Sequence, residues 1–390
     1  MYRELKDAGE RAVGNVEIFT QEGETLVAQG AEFGLQGQYS LDMPQKTLKV
    51  VAKAKYGAKY FDAKLFPDRE FTQYKSFVLR NSGNDCVWTR LIDGLQSRLV
   101  DLLDTTVVHQ AWNPVVVYIN GVYWGHYNMR ERADRYMIAQ HEGRTLEEAD
   151  NIDIIEFSTT TAYGSNKEWK EFLAYVKTLS PGKNAEDLQY ILERVDVENY
   201  FEYTAIEMFF GNSDPGNVRF YKLHGEGQKW KWLFYDADYG LFSSSFNSPR
   251  SYLKASGMGD QKAGNALLLK LLENAQMQDL FLRKLGTIFQ TLTSDVMRAK
   301  LDELVAILEP EMPMHFARWA EFNLKAINVE SPTTPDGALR YWRQRINRLQ
   351  NTIAWRPYVL YGLVQEQFKL SNAQMIDYFG QRPPSNGYGE

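Results

Sequence analysis

The segment 114–129 constrains the fold most strongly, because it places an Asn-Gly pair between two strand-like runs. β-branched and aromatic residues occupy positions 115–119 and 122–124, on either side of Asn120 and Gly121. Asn-Gly readily adopts the left-handed backbone conformations that a two-residue hairpin turn requires. The sequence therefore predicts an antiparallel hairpin here, which excludes an all-helical fold.

The rest of the chain changes from strand-like to helical periodicity. Strand patterns are predicted at 15–28, 46–53, 61–79 and 152–157, and helices at 89–103, 167–179, 185–195, 197–210 and over most of 265–364. A further hairpin, 218–223 with 229–235, interrupts the helices, and a Ser- and Gly-rich loop follows at 241–264. We therefore expect an α+β fold with a β-rich N-terminal lobe (1–157), a mainly helical C-terminal lobe with an inserted hairpin (158–380), and a tail (381–390).

Composition excludes several classes of protein. The 390 residues are 44% hydrophobic, which is enough for a large core and excludes wholesale disorder. The formal net charge of -6 argues against binding to nucleic acid, and the single cysteine, Cys86, cannot form an internal disulfide. No apolar run is long enough to span a membrane. We expect an exported or cell-surface protein if the chain is an excised domain, and a cytoplasmic one otherwise.

Acidic and amide side chains form the strongest candidate site. Asp214 and Asn217 follow the helix predicted at 197–210, and Asp236 and Asp238 follow the inserted hairpin. Oxygen ligands of this kind suit Mg²⁺, and phosphoryl transfer needs one carboxylate for the hydroxyl proton and others for the metal. The two later aspartates would point to one side if the strand continued through them. Alternatively, these aspartates only cap backbone amides in turns.

A second candidate group lies in the β-rich half of the chain. Lys46 enters a predicted strand after the loop 37–40, which ends at Ser40, so that Ser40 and Lys46 could contact nucleotide phosphates. Glu131, which follows the Asn-Gly hairpin, could orient such a lysine through an ion pair. The alternatives are a solvated lysine at a sheet edge and a glutamate that stabilises a helix start.

At these positions the sequence resembles the spore coat protein H (CotH) family of atypical protein kinases, which have a divergent two-lobed kinase-like fold. The resembling stretches are 37–57, 78–85, 120–131, 212–217 and 236–238, in family order. The Asn-Gly-x-Tyr-Trp-Gly element with its downstream glutamate is the most specific of them. The resemblance implies a bacterial protein that transfers the γ-phosphoryl of ATP to a Ser or Thr hydroxyl of a protein substrate, with Mg²⁺ or Mn²⁺.

The resemblance also implies a role for each candidate residue. Asp214 occupies the catalytic position, and Asp236 and Asp238 occupy the metal-binding Asp-x-Asp, assisted by Asn217. Lys46 would bind ATP phosphates with Glu131 close to it.

Two other functions remain open. Ordinary kinases carry a His-Arg-Asp triplet that this chain lacks, so a catalytically silent pseudokinase or a surface-binding module for protein or glycan is the main alternative. A metal-dependent phosphoesterase would also use clustered carboxylates. The sequence does not identify the acceptor protein or the oligomeric state.

Overall fold

A computed structural model describes residues 2–214, 216–254, 265–321 and 331–385. Its contacts divide the chain into two compact units, each assembled from segments that are distant in sequence. Unit 1 comprises Met1–Gly94, Gln110–Ala149 and Asp302–Asn347, and unit 2 comprises Leu95–His109, Asp150–Leu301 and Arg348–Glu390. The predicted boundary at residue 157 refers to lobes that are continuous in sequence, and it stays a prediction.

The described residues contain β-strands and α-helices in a mixed order. The strands are β1 (Ala12–Phe19), β2 (Thr25–Leu35), β3 (Leu48–Ala52), β4 (Phe61–Asp62), β5 (Gln73–Tyr74), β6 (Ser76–Arg80), β7 (Val108–His109), β8 (Trp112–Ile119), β9 (Val122–Glu131), β10 (Ile152–Glu156), β11 (Thr160–Tyr163), β12 (Arg219–Leu223) and β13 (Lys231–Phe234). The helices are α1 (Tyr2–Asp7), α2 (Ile92–Val100), α3 (Arg135–His141), α4 (Lys167–Val176), α5 (Ala185–Leu192), α6 (Val197–Phe210), α7 (Ser248–Tyr252), α8 (Asn265–Leu272), α9 (Ala275–Thr291), α10 (Ser294–Leu308), α11 (Met312–Trp319), α12 (Pro335–Phe368) and α13 (Asn372–Phe379). The predicted α+β class is confirmed.

Unit 1 is built on an antiparallel sheet with the strand order β1-β2-β3-β6-β9-β8. The predicted Asn-Gly hairpin is the β8–β9 pair, and Asn120 and Gly121 have φ values of 51° and 77°, as a type I′ turn requires. One face of this sheet carries a buried cluster that includes Phe77, Tyr127 and Met129. Alternation along the strands explains this cluster, because alternate side chains point to one face.

The segment 302–347 completes unit 1 from far along the chain. The Trp319 indole N–H donates to the Trp124 carbonyl (2.8 Å), and the Trp342 indole N–H donates to the Thr89 carbonyl (2.7 Å). Both bonds satisfy the polar end of a large aromatic side chain at its packing site. The helices of this segment are therefore part of the packing of unit 1.

Unit 2 has its own sheet, with the order β11-β10-β12-β13-β7, and a core rich in aromatic side chains. The rings of Trp169 and Phe220 lie 4.5 Å apart between centroids, and those of Tyr200 and Trp232 lie 4.1 Å apart. Helix α6 spans the predicted residues 197–210 and is buried along nearly its whole length. Because neighbouring elements pack against α6 on all sides, the position of its C-terminal end is fixed.

Two local predictions need correction. Strand β13 ends at Phe234 and Asp236 has a left-handed φ of 57°, so residues 236–238 do not continue an extended strand and their side chains do not alternate as expected. The predicted loop 241–264 contains helix α7, and its residues 255–264 lie outside the described residues. Of the helices described, none combines the length and apolar character that would cross a membrane.

Candidate active site

The first acidic turn begins where helix α6 ends in unit 2. Gly211 terminates the helix in the left-handed conformation, with φ 65°, as expected of a C-terminal glycine. Asn212 is buried directly after it, and its side-chain oxygen accepts the backbone N–H of Asp214 (3.0 Å). The Asn217 amide donates to the Asp214 carboxylate (3.0 Å). These two hydrogen bonds therefore hold both the backbone and the carboxylate of Asp214, which is half-buried.

The structure brings the second acidic turn against the first. The Ser213 backbone N–H donates to the Tyr239 carbonyl (3.3 Å), and the Leu241 N–H donates to the Phe210 carbonyl (2.7 Å). The Gln96 amide holds the same turn by donating to the Ala237 carbonyl (2.7 Å). Two segments that are more than twenty residues apart therefore meet through backbone hydrogen bonds, as the proposed site requires.

The candidate metal ligands differ in their exposure. Asp236 and Asn217 are half-buried, whereas Asp238 is only 2% exposed. Within the described ranges, no three His, Cys, Asp or Glu side chains form a group that could hold a metal ion. Mg²⁺ often takes only one or two protein carboxylates and completes its coordination with substrate phosphates and water. The two carboxylates and the Asn217 amide oxygen are hard donors of the kind that this ion prefers, so the residues fit it.

Glu207 is a buried acid beneath the first turn that the sequence analysis missed. Its carboxylate accepts the Asn212 amide N–H (2.7 Å) and the Tyr252 hydroxyl (3.0 Å). Burial, reinforced by the charges of Asp214 and Asp236, raises the pKa of Glu207 to about 7. The charges of both acidic turns therefore act on the same buried carboxylate. In sequence, Glu207 is one of three glutamates in α6, and no local pattern distinguishes it from Glu198 and Glu202.

Arg356 holds the end of α6 from the other side. This buried guanidinium donates to the carbonyls of Met208 and Phe209 (both 2.8 Å), which are among the last of the helix. It also donates to the Ser248 hydroxyl (2.6 Å) and the Phe246 carbonyl (2.7 Å). A cation at a helix C-terminus interacts favourably with the helix dipole. Glu207 and Arg356 together fix the position from which the Asp214 turn starts.

In unit 1, Lys46 is occupied by its own loop. Its ammonium donates to the carbonyls of Leu41 (2.9 Å) and Met43, and lies 4.3 Å from the centre of the Tyr2 ring. Ser40 belongs to the single turn Tyr39–Asp42 of the same loop, half-buried. Burial lowers the pKa of Lys46. The predicted neighbours Ser40 and Lys46 therefore do share one loop.

Glu131 is not paired with Lys46. Its carboxylate binds Arg69 (3.2 Å), His141 (3.1 Å) and the Ala111 backbone N–H (2.8 Å). Burial alone would raise the pKa of Glu131, but these partners lower it to about 2. The sheet register explains the separation, because Glu131 aligns across β6 with Val50, four residues beyond Lys46. The expected proximity of these two residues is therefore not seen, and Glu131 stabilises its own surroundings.

Lys49 is a second lysine that the sequence analysis gave no role. It lies in β3 opposite Gly34, where a side chain on residue 34 would collide with Lys49 and Arg11 at 2.9 Å. Burial, with the charges of Arg132, Arg11 and Lys6, lowers the pKa of Lys49 to about 8. We call Lys6, Arg11, Lys49 and Arg132 the cationic cluster. Crowded positive charge of this kind is relieved by an anion such as a phosphate.

Comparison with known proteins agrees with the motifs. A search of the curated proteins found no match to this chain. The sequence model of one family, described as CotH kinase protein, matches residues 34–360. The matched region includes both acidic turns, the Lys46 loop and Glu131. The chain belongs to the CotH kinase family.

Proposed function

We propose that this chain is an ATP-dependent protein kinase with a two-lobed kinase-like fold, which phosphorylates a Ser or Thr hydroxyl of a protein substrate with the help of Mg²⁺ or Mn²⁺. The observation that carries the proposal is the meeting of the two acidic turns in unit 2 through the Ser213–Tyr239 hydrogen bond. Membership of the CotH kinase family supports the same chemistry.

Each acidic side chain has a distinct role in the proposal. Asp214, oriented by Asn217, accepts or directs the proton of the acceptor hydroxyl. Asp236, Asp238 and the Asn217 amide oxygen would hold the divalent cation, which when bound neutralises charge on the phosphates. The left-handed backbone at Asp236 supports a functional role, because such strained residues often lie at functional sites.

The phosphates need positive charge from the protein as well. Lys46 and Ser40 remain candidates from the family resemblance, and the cationic cluster around Lys49 is a second candidate in unit 1. The structure favours Lys49, because the Lys46 ammonium already has two carbonyl acceptors and a tyrosine ring. A lysine with a lowered pKa gains the most from a nearby anion, which restores its charged form.

Incubation of the purified chain with γ-labelled ATP, Mg²⁺ or Mn²⁺ and a protein acceptor tests the proposal. We expect label on protein from the wild type, and a loss of at least about a hundredfold in Asp214→Asn and Asp238→Asn. Asp104→Asn is the matched control, because Asp104 is exposed and lies outside both acidic turns. Circular dichroism of each variant checks that it remains folded.

The same experiment separates the alternatives. Release of free phosphate without labelled protein would favour a phosphoesterase or ATPase and would contradict the kinase proposal. Absence of both products, with nucleotide-independent binding to a protein or glycan, would favour a silent binding module. Equal labelling by the wild type and Asp214→Asn would remove Asp214 from its proposed role.

A further inference from the structure

Unit 1 contains a cavity whose wall includes part of the loop that carries Ser40 and Lys46, but none of the candidate residues of the kinase proposal lines it. Its volume is about 60 Å³, and its walls include Met43, Gln45, Arg90, His315, Trp319 and Tyr341. These residues come from the loop before β3, from the segment before α2, and from α11 and α12, all within unit 1. Most of the wall is apolar, so the few polar groups decide what can bind.

Arg90 places a guanidinium beside this cavity without a carboxylate partner. The side chain is 3% exposed, and its N–H groups donate to Gln45 Oε1 (2.9 Å), the Cys86 carbonyl (3.0 Å), and the carbonyl and Nδ1 of His126 (3.3 and 3.4 Å). All of these acceptors are neutral. One N–H of Nη1 has no acceptor among the residues that the structure describes. Burial lowers the pKa of Arg90, and the charge of Asp85 offsets part of this effect without forming an ion pair with the guanidinium, so the buried cation is only partly compensated.

His315 provides a second donor at the same wall. Its Nδ1 accepts the backbone N–H of His126 (3.2 Å), so the neutral ring carries its proton on Nε2. Burial, followed by the charge of Arg90, keeps the pKa of His315 well below its usual value, so this ring is neutral at pH 7. The Nε2–H has no acceptor within the described part of the chain.

His126 fixes the spacing of these two donors, because its backbone N–H binds His315 and its carbonyl binds Arg90. The side-chain amides of Gln45 and Asn81, also in the wall, have hydrogen-bond partners within the protein. Gln45 donates to the His126 carbonyl (3.0 Å), and Asn81 accepts the Thr47 hydroxyl (2.8 Å) and donates to the Gln45 carbonyl (2.6 Å). The cavity therefore offers spare hydrogen-bond donors and one positive charge.

We propose that this cavity binds a small organic carboxylate, with one oxygen accepting from Arg90 and the other from His315. A monoanion matches the single guanidinium, since the two histidines are neutral and no lysine lines the cavity. At roughly 10–15 Å³ for each water-sized atom, a cavity of about 60 Å³ holds about four to six heavy atoms. That is the size of propionate, whose alkyl end suits the wall formed by Trp319 and Tyr341.

Ligand-observed NMR titration of the full chain with propionate tests the proposal, with propionamide as an uncharged ligand of equal size. We expect propionate to bind with a millimolar Kd and propionamide to bind at least tenfold more weakly. Equal binding of the two ligands, or no binding of propionate, would overturn the proposal. Tighter binding of inorganic phosphate, or competition between propionate and ATP, would also overturn it.

Three variants locate the ligand. Arg90→Gln removes the charge, and His315→Asn keeps an acceptor for the His126 N–H but removes the donor to the cavity. Both should weaken propionate at least tenfold. Ala338→Leu fills the cavity from its buried wall and leaves both donors in place, so it tests the site even if Arg90→Gln does not fold. Arg340→Gln, an exposed arginine on the same helix α12 as Ala338, should leave binding unchanged. Equal affinity in the wild type and all four variants would contradict the assignment.

Discussion

At the scale of single residues, Lys46 and Lys49 lie only three positions apart, but we expect their substitution to affect ATP binding differently. The Lys46 ammonium is satisfied by carbonyls of its own loop, whereas Lys49 is surrounded by the other members of the cationic cluster. We therefore expect Lys49→Met to raise the KM for ATP about tenfold or more, and Lys46→Met to change it by less than about threefold. Steady-state kinetics over a range of ATP concentrations measures both. A larger effect of Lys46→Met would return the phosphate-binding role to Lys46.

Glu207 makes the stability of the chain depend on pH. Its pKa is 4.5 in the unfolded chain and about 7 in the folded one, so the stabilisation is fully present below pH 4.5 and is lost as pH rises through 7. Glu207→Gln keeps an acceptor for Asn212 and Tyr252 without the charge. Relative to the wild type, this variant should gain about 3 kcal/mol in free energy of unfolding between pH 4.5 and pH 8.

Urea unfolding of both proteins at several pH values checks this difference. Glu226→Gln, in the exposed connection between β12 and β13, is the control and should follow the wild type. A constant difference between Glu207→Gln and the wild type across this range would contradict the raised pKa.

At the candidate site, the local hydrogen bonds of a residue were easier to predict from the sequence than its partners from distant segments. Asp214 and Asn217 lie in a turn that hydrogen bonds inside its own six residues, so local chemistry was sufficient. The partners of Glu131 were not predictable, because they come from Arg69 and from the register of three strands. The proposed role of Lys49 depends likewise on the absence of a side chain at Gly34 in the neighbouring strand.

At the scale of elements, the sequence predicted the strands and helices that are specified by turn residues or by hydrophobic periodicity within the element itself. The β8–β9 hairpin and helix α6 lie where turn chemistry and periodicity placed them. The end of β13 was not predictable, because Asp236 leaves the extended conformation where it meets the Asp214 turn, twenty-two residues earlier in the chain. Such endings depend on tertiary packing, which a local pattern does not contain.

Arg356 links helix α12 to the end of α6, and its loss should weaken unit 2. Arg356→Met removes one donor from each of the carbonyls of Met208, Phe209 and Phe246 and leaves a buried apolar side chain among these polar groups, so we expect the free energy of unfolding to fall by about 3 kcal/mol or more. Differential scanning calorimetry measures the change. Arg348→Met, an exposed arginine on the same helix, is the control and should cost less than about 0.5 kcal/mol. If the two variants lost similar amounts of unfolding free energy, the buried hydrogen bonds of Arg356 would not be what stabilises unit 2.

At the scale of the whole molecule, the division into two discontinuous units is the feature that the sequence least revealed. Hydrophobic periodicity identifies helices in 302–347, but it does not say which sheet they cover. The indole of Trp319 bonds the Trp124 carbonyl within unit 1, across almost two hundred residues. Contacts over such a separation leave no local signature.

We therefore expect a fragment of residues 1–157 to fail to fold alone, because it lacks Trp319, Trp342 and the rest of segment 302–347. Near-ultraviolet circular dichroism and solubility compare the fragment with the full chain. Addition of a peptide spanning 302–347 is the control, and it should restore part of the aromatic signal if this segment is what the fragment lacks. A soluble fragment with native-like aromatic signals would show that the sheet of unit 1 is stable without those helices.

The late position of segment 302–347 also sets the order of events during synthesis. Unit 1 has all of its described strands once residue 149 has left the ribosome, but its last segment ends at residue 347, which is 347 − 149 = 198 residues later. At about 5–20 residues per second, the nascent sheet waits roughly 10–40 s for its covering helices. Its apolar surface is exposed during that interval, so this protein should depend on holding chaperones while it is being translated.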